Sequence, residues 1–94
     1  MNKILLIDDE EKLRNLLARI ISLEGFEVIQ VGDLKSASKK LETTEFDVVL
    51  CDVKLPDGNG VEFSKKIKAR YPLIETILLT AYGNIPDGVQ AIKN

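Results

Sequence analysis

The sequence contains no histidine and a single cysteine, Cys51. Without histidine, neither a Ser/His nor a Cys/His catalytic pair can form, so a hydrolase built on such a pair is excluded. A single cysteine cannot form an internal disulfide, and Cys51 lies within an apolar run. We therefore interpret it as a small buried hydrophobic residue in a protein of the reducing cytoplasm.

Long apolar segments and a strong charge of one sign are also absent. No run approaches the roughly eighteen apolar residues that a membrane span requires. The apolar start at residues 4–7 is too short for the core of a signal peptide. The net charge is −2, with bases and acids interspersed. Because the chain lacks a basic stripe, we expect no direct contact of this segment with nucleic acid or a membrane.

Apolar runs typical of strands alternate with amphipathic segments typical of helices. The runs at residues 4–7 and 48–51 are continuous, which predicts central strands buried on both faces. Residues 26–31 are less apolar and predict an edge strand, and residues 76–79 predict a fourth strand. The inward-facing helix positions recur at helical spacing: Leu13, Leu16, Leu17, Ile20 and Ile21, then Leu34, Ala37 and Leu41, then Phe63, Ile67 and Tyr71, and finally Ile85, Val89 and Ile92.

The helix boundaries have signals of their own. Gly25 is placed to end the first helix, Asp33 is the predicted N-cap of the second, and Pro72 ends the third. Arg14 is expected on the outer, solvent-facing side of the first helix. The fourth helix is predicted over residues 85–93.

This alternation predicts an α/β domain with a parallel sheet. Right-handed crossovers limit the topologies, and the two most apolar strands, the first and the third, should be central neighbours. The expected strand order is 2-1-3-4, the start of a flavodoxin-like doubly wound sheet. The switch point of such a sheet lies between the first and third strands, and ligands bind there.

Acidic residues follow both central strands. Asp8 and Asp9 come directly after the first strand, and Asp52 comes directly after the apolar run of the third. Parallel neighbours lie about 4.8 Å apart, so the three carboxylates should meet and repel one another unless a proton or a cation is present. Oxygen ligands suit Mg²⁺, and a carboxylate is an accepted phosphoryl nucleophile. With the hydroxyl of Thr80 after the fourth strand, these residues predict a metal-assisted phosphoryl acceptor.

Each of these residues also has a simpler interpretation. The run of acids that begins at Asp8 could be only a charge cluster at a helix start, and Asp52 alone could be a loop cap. A flavin-binding relative of flavodoxin is another alternative, but the loop after the first strand carries four acids where a phosphate cradle needs Gly, Ser or Thr. The combination of acids at two strand ends with Thr80 at another favours the phosphoryl acceptor.

Three ordered motifs resemble the receiver domain of bacterial two-component response regulators. They are residues 5–10 (Leu-Leu-Ile-Asp-Asp-Glu), residues 52–60 (Asp-Val-Lys-Leu-Pro-Asp-Gly-Asn-Gly) and residues 78–83 (Leu-Leu-Thr-Ala-Tyr-Gly). The resemblance spans the whole chain. The third motif and the segment after it are also similar to regulators that drive sigma-54-dependent transcription.

The resemblance implies a role for each matching acid. Asp52 would be the phosphoacceptor, and Asp8 and Asp9 would form the acidic pocket that binds Mg²⁺. Asp52 would also be a metal ligand. The backbone carbonyl of Lys54 would complete the ligands that the protein supplies.

The resemblance also implies a signalling function rather than that of an enzyme. Thr80 would be the switch hydroxyl that moves toward the phosphoryl group, and Ala81 would donate its backbone N–H to that group. A sensor histidine kinase would supply the phosphoryl group. The signal would pass to an output domain of the same regulator, expected to bind DNA, in the cytoplasm.

The match ends before the fifth strand and fifth helix of a full receiver domain. The family's invariant lysine lies at the end of that strand and has no counterpart here, so we expect slow intrinsic phosphoryl transfer. We interpret residues 1–94 as a single, incomplete receiver domain from a longer regulator. Its exposed fourth strand should favour a homo-oligomer or an exchange of elements. The alternative function is a pseudo-receiver that is not phosphorylated and acts only through protein contacts.

Overall fold

A computed structural model of the chain describes residues 2–79 and the backbone of Ile92–Lys93. The strands are β1 (Lys3–Ile7), β2 (Glu27–Val31), β3 (Val48–Asp52), β4 (Lys54–Leu55), β5 (Gly58–Asn59), β6 (Glu75–Leu79) and β7 (Ile92–Lys93). The helices are α1 (Glu11–Leu23), α2 (Leu34–Thr43) and α3 (Gly60–Arg70). Among the described residues, no helix is both long enough and apolar enough to cross a membrane.

One sheet organises the domain, with strand order β2-β1-β3-β6-β7. β2, β1, β3 and β6 pair in parallel, and β6 is the fourth strand of the prediction, so the expected order is confirmed. β1 and β3 are adjacent at the centre, with Ile7 opposite Cys51. Because parallel strands end at the same edge, the residues that follow this pair are placed side by side.

The main core lies between the sheet and the helices α2 and α3. Alternate residues of the central strands contribute to it, as the pleat of a strand requires. Four of the predicted inward residues of these helices, Ala37, Leu41, Phe63 and Ile67, are buried in it, and the other two, Leu34 and Tyr71, are partly buried against it. The core cluster comprises Leu5, Ile7, Val31, Ala37, Leu41, Phe46, Val49, Cys51, Phe63 and Ile67. This packing fixes β1 relative to β3, and therefore fixes the edge at which the acids lie.

Helix α1 packs against β1 and β2, and its orientation differs from the prediction. Leu13, Leu16 and Ile20 are 37%, 55% and 51% exposed, although their spacing predicts an inward face. Ala18 is buried instead, and Arg14 turns toward the sheet rather than outward. The apolar positions of α1 span a wider arc than the two strands can cover, so packing buries only part of that arc.

Two features at the sheet margins also differ from the prediction. β4 and β5 form a small antiparallel hairpin, an element that the sequence pattern does not predict. The predicted helix over residues 85–93 lies outside the described residues except at its end, where Ile92–Lys93 forms β7. β7 pairs with Leu78 and Leu79, so the outer edge of β6 is not bare along its whole length. The unpaired backbone groups of an edge strand favour such pairing over a local helical pattern.

Candidate functional site

The carboxylates of Asp8, Asp9 and Asp52 form a cluster at the carboxyl edge of the sheet. Each residue offers an oxygen, and these oxygens all lie within 4.8 Å of one another. Asp52 is the last residue of β3, and Asp8 and Asp9 follow β1 directly. The adjacency of the two central parallel strands therefore brings together the three acids that the sequence singled out.

Asp8 is the buried member of this acidic cluster. It is 3% exposed, and its Oδ1 accepts a 2.9 Å hydrogen bond from the backbone N–H of Glu10. Burial raises the pKa of the Asp8 carboxyl, and the charges of Asp9 and Glu10 act in the same direction. The Glu10 N–H and the Arg14 guanidinium oppose that rise in pKa. A bound cation would favour the charged form of this carboxyl.

Asp52 is half-buried and electrostatically coupled to Asp8. Burial raises the pKa of the Asp52 carboxyl, and the charge of Asp8 adds to the rise. The backbone N–H groups of Val53 and Lys54 lower this pKa, while the charge of Asp9 raises it again. The charged cluster is therefore stabilised if a cation neutralises it. A set of ligands made only of oxygen suits a hard divalent cation.

Arg14 connects α1 to the end of β1. Its Nη1 donates a 2.8 Å hydrogen bond to the backbone carbonyl of Asp8. Its Nε donates a 3.0 Å hydrogen bond to Oε1 of Gln30 on β2. The guanidinium lies over Gly32, where an ideal Cβ would be 3.1 Å from Nη1. Arg14 thereby holds the turn that carries Asp8, a role that helical spacing misses because the partner is a backbone oxygen.

The segment after Asp52 closes on itself. The backbone N–H of Gly60 donates a 2.7 Å hydrogen bond to the carbonyl oxygen of Val53, and Lys54 pairs with Asn59 in the β4–β5 hairpin. Gly60 lies so close to the end of β3 that an added Cβ would overlap the carbonyl oxygen of Asp52. Only a residue without a side chain allows this approach, so Gly60 sets the path of the hairpin beside the acids.

Asp57 attaches the tip of this hairpin to α2. Its carboxylate oxygens accept hydrogen bonds of 2.9 and 3.0 Å from the backbone N–H groups of Leu34 and Lys35. Asp33, the predicted N-cap, accepts a 2.7 Å hydrogen bond from the N–H of Ser36. Two carboxylates therefore satisfy three N–H groups that a helix start leaves unpaired. The sequence predicts only the local cap, because a cap from a distant loop has no local signature.

Cys51 lies behind the acids and has the packing role that the sequence predicts. It is fully buried, and its Sγ is 3.3 Å from the carbonyl oxygen of Asp52. Burial raises the pKa of the thiol to about 12, and the charges of Asp52 and Asp8 add to the rise. The thiol is therefore un-ionised at neutral pH and is a poor nucleophile.

Thr80 and Ala81, the remaining predicted site residues, lie outside the described residues. Leu79, the last residue of β6, lies opposite Asp52 in the sheet.

Comparison with known proteins identifies relatives of the whole segment. The profile of the response regulator receiver domain matches residues 4–94. The chain is 37% identical over 93 residues to the transcriptional regulatory protein CpxR of Escherichia coli K12. It is 33% identical over 91 residues to the response regulator protein PilR of Pseudomonas aeruginosa. These matches cover 99% and 97% of this chain but only 39% and 20% of the relatives, so the chain spans a minor part of their length.

Solved structures give the same result. The Thermotoga maritima response regulator TrrA, in complex with Mg²⁺-BeF, matches with a TM-score of 0.83 at 31% identity, over 95% of this chain and 77% of that chain. TrrA in complex with the histidine kinase ThkA matches with a TM-score of 0.81 at 29% identity, over 97% of this chain and 80% of that chain. The fold and the family expected from the three motifs are confirmed.

Proposed function

Because the chain belongs to the response regulator receiver domain family, we propose that it is a phosphoacceptor signalling domain of a two-component system. In this proposal Asp52 accepts a phosphoryl group from a phosphohistidine, and the modified domain signals to an output domain. The observation that carries the proposal is the acidic cluster, whose three carboxylates offer oxygens within 4.8 Å of one another.

Asp52 is the member of the cluster best suited to accept the phosphoryl group. Asp8 is 3% exposed, and the N–H of Glu10 already occupies its Oδ1. Asp9 lies beyond the end of β1 and is exposed. Asp52 is only half-buried and is the last residue of a central strand, so its carboxylate is both accessible and held in place.

The proposed reaction is a single displacement at phosphorus. A carboxylate oxygen of Asp52 attacks the phosphorus atom of the phosphohistidine, an O–P bond forms, and the P–N bond breaks. The ring nitrogen takes the electron pair of the broken bond, and the imidazole leaves as a neutral group when its other nitrogen carries a proton. The product is an acyl phosphate on Asp52.

The residues of the cluster fit Mg²⁺. Asp8, Asp9 and Asp52 would supply carboxylate ligands, and the backbone carbonyl of Lys54, two residues after Asp52, would supply a further one. When bound, Mg²⁺ neutralises negative charge on the carboxylates and on the phosphoryl oxygens. The raised pKa values of Asp8 and Asp52 support this assignment, because a cation would stabilise the charged carboxylates that burial and repulsion disfavour.

The switch residues enter the proposal through the resemblance. We assign the hydroxyl of Thr80 to a phosphoryl oxygen and the backbone N–H of Ala81 to the same group. A hydrogen bond from Thr80 would form only after phosphorylation of Asp52. It would therefore couple the chemical state of Asp52 to the segment that follows β6.

The partners follow from the same assignment. A sensor histidine kinase is the proposed phosphoryl donor, in line with the TrrA–ThkA complex. A DNA-binding output domain of the same regulator is the proposed target of the signal, in line with the relative CpxR, which is a transcriptional regulatory protein. The cytoplasm is the proposed compartment. Self-association through the outer edge of β6 stays a prediction, which a compact, cooperatively melting monomer in gel filtration and thermal unfolding would contradict.

Intact-mass spectrometry after incubation with acetyl phosphate tests the proposal. We expect a species heavier by one phosphoryl group that forms only with Mg²⁺ and not in Asp52→Asn. Asp47→Asn is the control, because Asp47 precedes β3 at its opposite end and should not affect labelling. An adduct that persists in Asp52→Asn would contradict the proposal. A version extended through the fifth strand that gains no phosphoryl group at any Mg²⁺ concentration would also contradict it and would indicate a pseudo-receiver.

A further inference from the structure

The β4–β5 hairpin, which carries Lys54, has little intrinsic stability. Each of its strands has two residues, and Lys54 itself is exposed. The hydrogen bond from Gly60 to Val53 closes its base. An isolated two-stranded hairpin is at best marginally stable in water, so contacts with the rest of the domain determine where its backbone lies. These contacts are those of Gly60 at its base, the packing of the partly buried Leu55 against the core, and those at its tip.

Asp57 makes the contacts at that tip. Its two carboxylate oxygens accept the N–H groups of Leu34 at 2.9 Å and Lys35 at 3.0 Å. A carboxylate at a helix start also interacts favourably with the helix dipole. Gly58, the next residue, packs closely against Leu34 of α2: an ideal Cβ at position 58 would lie 2.7 Å from Cδ1 of Leu34. The hairpin is thus held to the first turn of α2, which the buried Ala37 ties to the core.

We propose that Asp57 is a positioning residue for the metal site. By holding the hairpin tip against α2, it keeps the backbone of Lys54 beside the acidic cluster and strengthens the binding of Mg²⁺. Asp57 acts through the hairpin backbone and does not itself contact the ion. This inference rests on the proposed function, which assigns the carbonyl of Lys54 as a ligand.

Asp33 offers a matched comparison. It caps the same helix through the N–H of Ser36 and carries the same charge as Asp57, but it does not belong to the hairpin. Its removal should weaken the start of α2 and leave the hairpin attached. Removal of Asp57 should weaken the same helix start and release the hairpin as well. The two substitutions should therefore destabilise α2 to a similar extent, but only removal of Asp57 should weaken the binding of Mg²⁺.

Isothermal titration of the 94-residue chain with MgCl₂ at constant ionic strength measures this difference. Asp57→Ala should raise the Kd for Mg²⁺ about threefold to tenfold, since residues that orient metal ligands have effects of this order or larger. Asp57→Asn keeps one acceptor oxygen and should lie between Asp57→Ala and the wild type. Asp33→Ala should bind Mg²⁺ within about twofold of the wild type, although its melting temperature falls through loss of a cap.

The yield of the acetyl phosphate adduct provides a second measurement. At saturating Mg²⁺, Asp57→Ala should reach the wild-type yield, because the substitution weakens metal binding and leaves Asp52 intact. A deficit that persists at saturating Mg²⁺ would contradict a role limited to the metal site.

Unchanged Mg²⁺ affinity in Asp57→Ala would overturn the inference. An equal loss of affinity in Asp57→Ala and Asp33→Ala would also overturn it, because the effect would then come from net charge or helix stability. If circular dichroism finds Asp57→Ala unfolded, Asp57→Asn decides the question by the same criteria. Failure of the proposed function gives a different result, because the wild type itself would then bind no Mg²⁺ or form no adduct. The inference fails alone when the wild type does both and Asp57→Ala binds Mg²⁺ equally well.

Discussion

Gly60 lies directly against the backbone of Asp52, so that a Cβ at position 60 would overlap the carbonyl oxygen of Asp52 and lie 2.9 Å from its carbonyl carbon. The N–H of Gly60 is at the same time bound to the carbonyl oxygen of Val53 at 2.7 Å. The start of α3 therefore packs directly against the end of β3. Any displacement of this helix start displaces the backbone that carries the Asp52 carboxylate.

Gly60→Ala should lower the free energy of unfolding by about 3 kcal/mol, because the new methyl group meets fixed backbone atoms rather than a movable side chain. Urea unfolding at neutral pH measures the effect. Gly32→Ala is the control, since its Cβ would lie 3.1 Å from the end of the Arg14 side chain and 4.0 Å, an ordinary contact distance, from the carbonyl oxygen of Asp8, and should cost less. Equal costs for the two substitutions would show that Gly60 is not confined by the end of β3.

Asp52→Asn should raise the free energy of unfolding at neutral pH when divalent cations are absent. The folded-state pKa values of Asp52 and Asp8 are raised, chiefly by burial. The folded chain therefore binds protons at a pH where the unfolded chain has released them, and wild-type stability falls as pH rises through that window. Asp52→Asn removes one charge of the cluster, so this variant should lose less stability than the wild type as the pH rises.

Thermal unfolding measures this effect in two series over acidic to neutral pH, one with EDTA and one with excess Mg²⁺ in its place. The wild type should gain more stability from Mg²⁺ than Asp52→Asn does, since ligand binding to the folded state stabilises it. The expectation fails if Asp52→Asn is the less stable protein in EDTA, or if both proteins gain equally from Mg²⁺.

Cys51 should make the protein sensitive to alkali. Burial raises the pKa of its thiol from 9.0 to about 12. Above pH 9.0 the unfolded chain loses this proton while the folded chain keeps it, so stability falls as pH rises toward about 12, by at most about 1.4 kcal/mol per pH unit. Cys51→Ala should lack this component, so its stability should fall less steeply between about pH 9 and pH 10.5. Parallel pH profiles of the two proteins would contradict this account.

Arg14→Ala should destabilise the domain by about 1–2 kcal/mol, because it removes hydrogen bonds to the Asp8 carbonyl and to Gln30. A double-mutant cycle with Gln30→Ala isolates the bond between the two side chains and should give a coupling of about 0.5–1 kcal/mol. Chemical denaturation of the wild type, the two single variants and the double variant provides the cycle. Additive single effects would mean that the bond adds nothing to stability in solution.

The parts that the sequence could predict are those set by local pattern. Continuous apolar runs identified β1 and β3 as central neighbours, and that adjacency placed Asp8 and Asp9 beside Asp52. The inward faces of α2 and α3 followed from helical spacing, because each of these helices has a narrow apolar stripe, of which Ala37, Leu41, Phe63 and Ile67 are buried and Leu34 and Tyr71 partly buried.

The parts that escaped prediction depend on contacts between distant segments. Helical spacing predicts Arg14 on the outer face of α1, but its guanidinium binds a backbone oxygen and Gln30 and so lies toward the sheet. The sequence pattern assigns no role to Asp57, but it caps a helix through N–H groups 22 and 23 residues away. Neither contact leaves a periodic trace in the sequence, because each depends on where the whole fold places a single side chain.

Mapping the phosphorylated residue tests the central claim most directly. Borohydride reduces an aspartyl phosphate to homoserine, so reduction after incubation with acetyl phosphate and Mg²⁺, followed by peptide mass spectrometry, marks the position of the acceptor. The account predicts homoserine at position 52 and at no other acidic residue. Homoserine at position 8 or 9, or an adduct on a residue outside the acidic cluster, would contradict it.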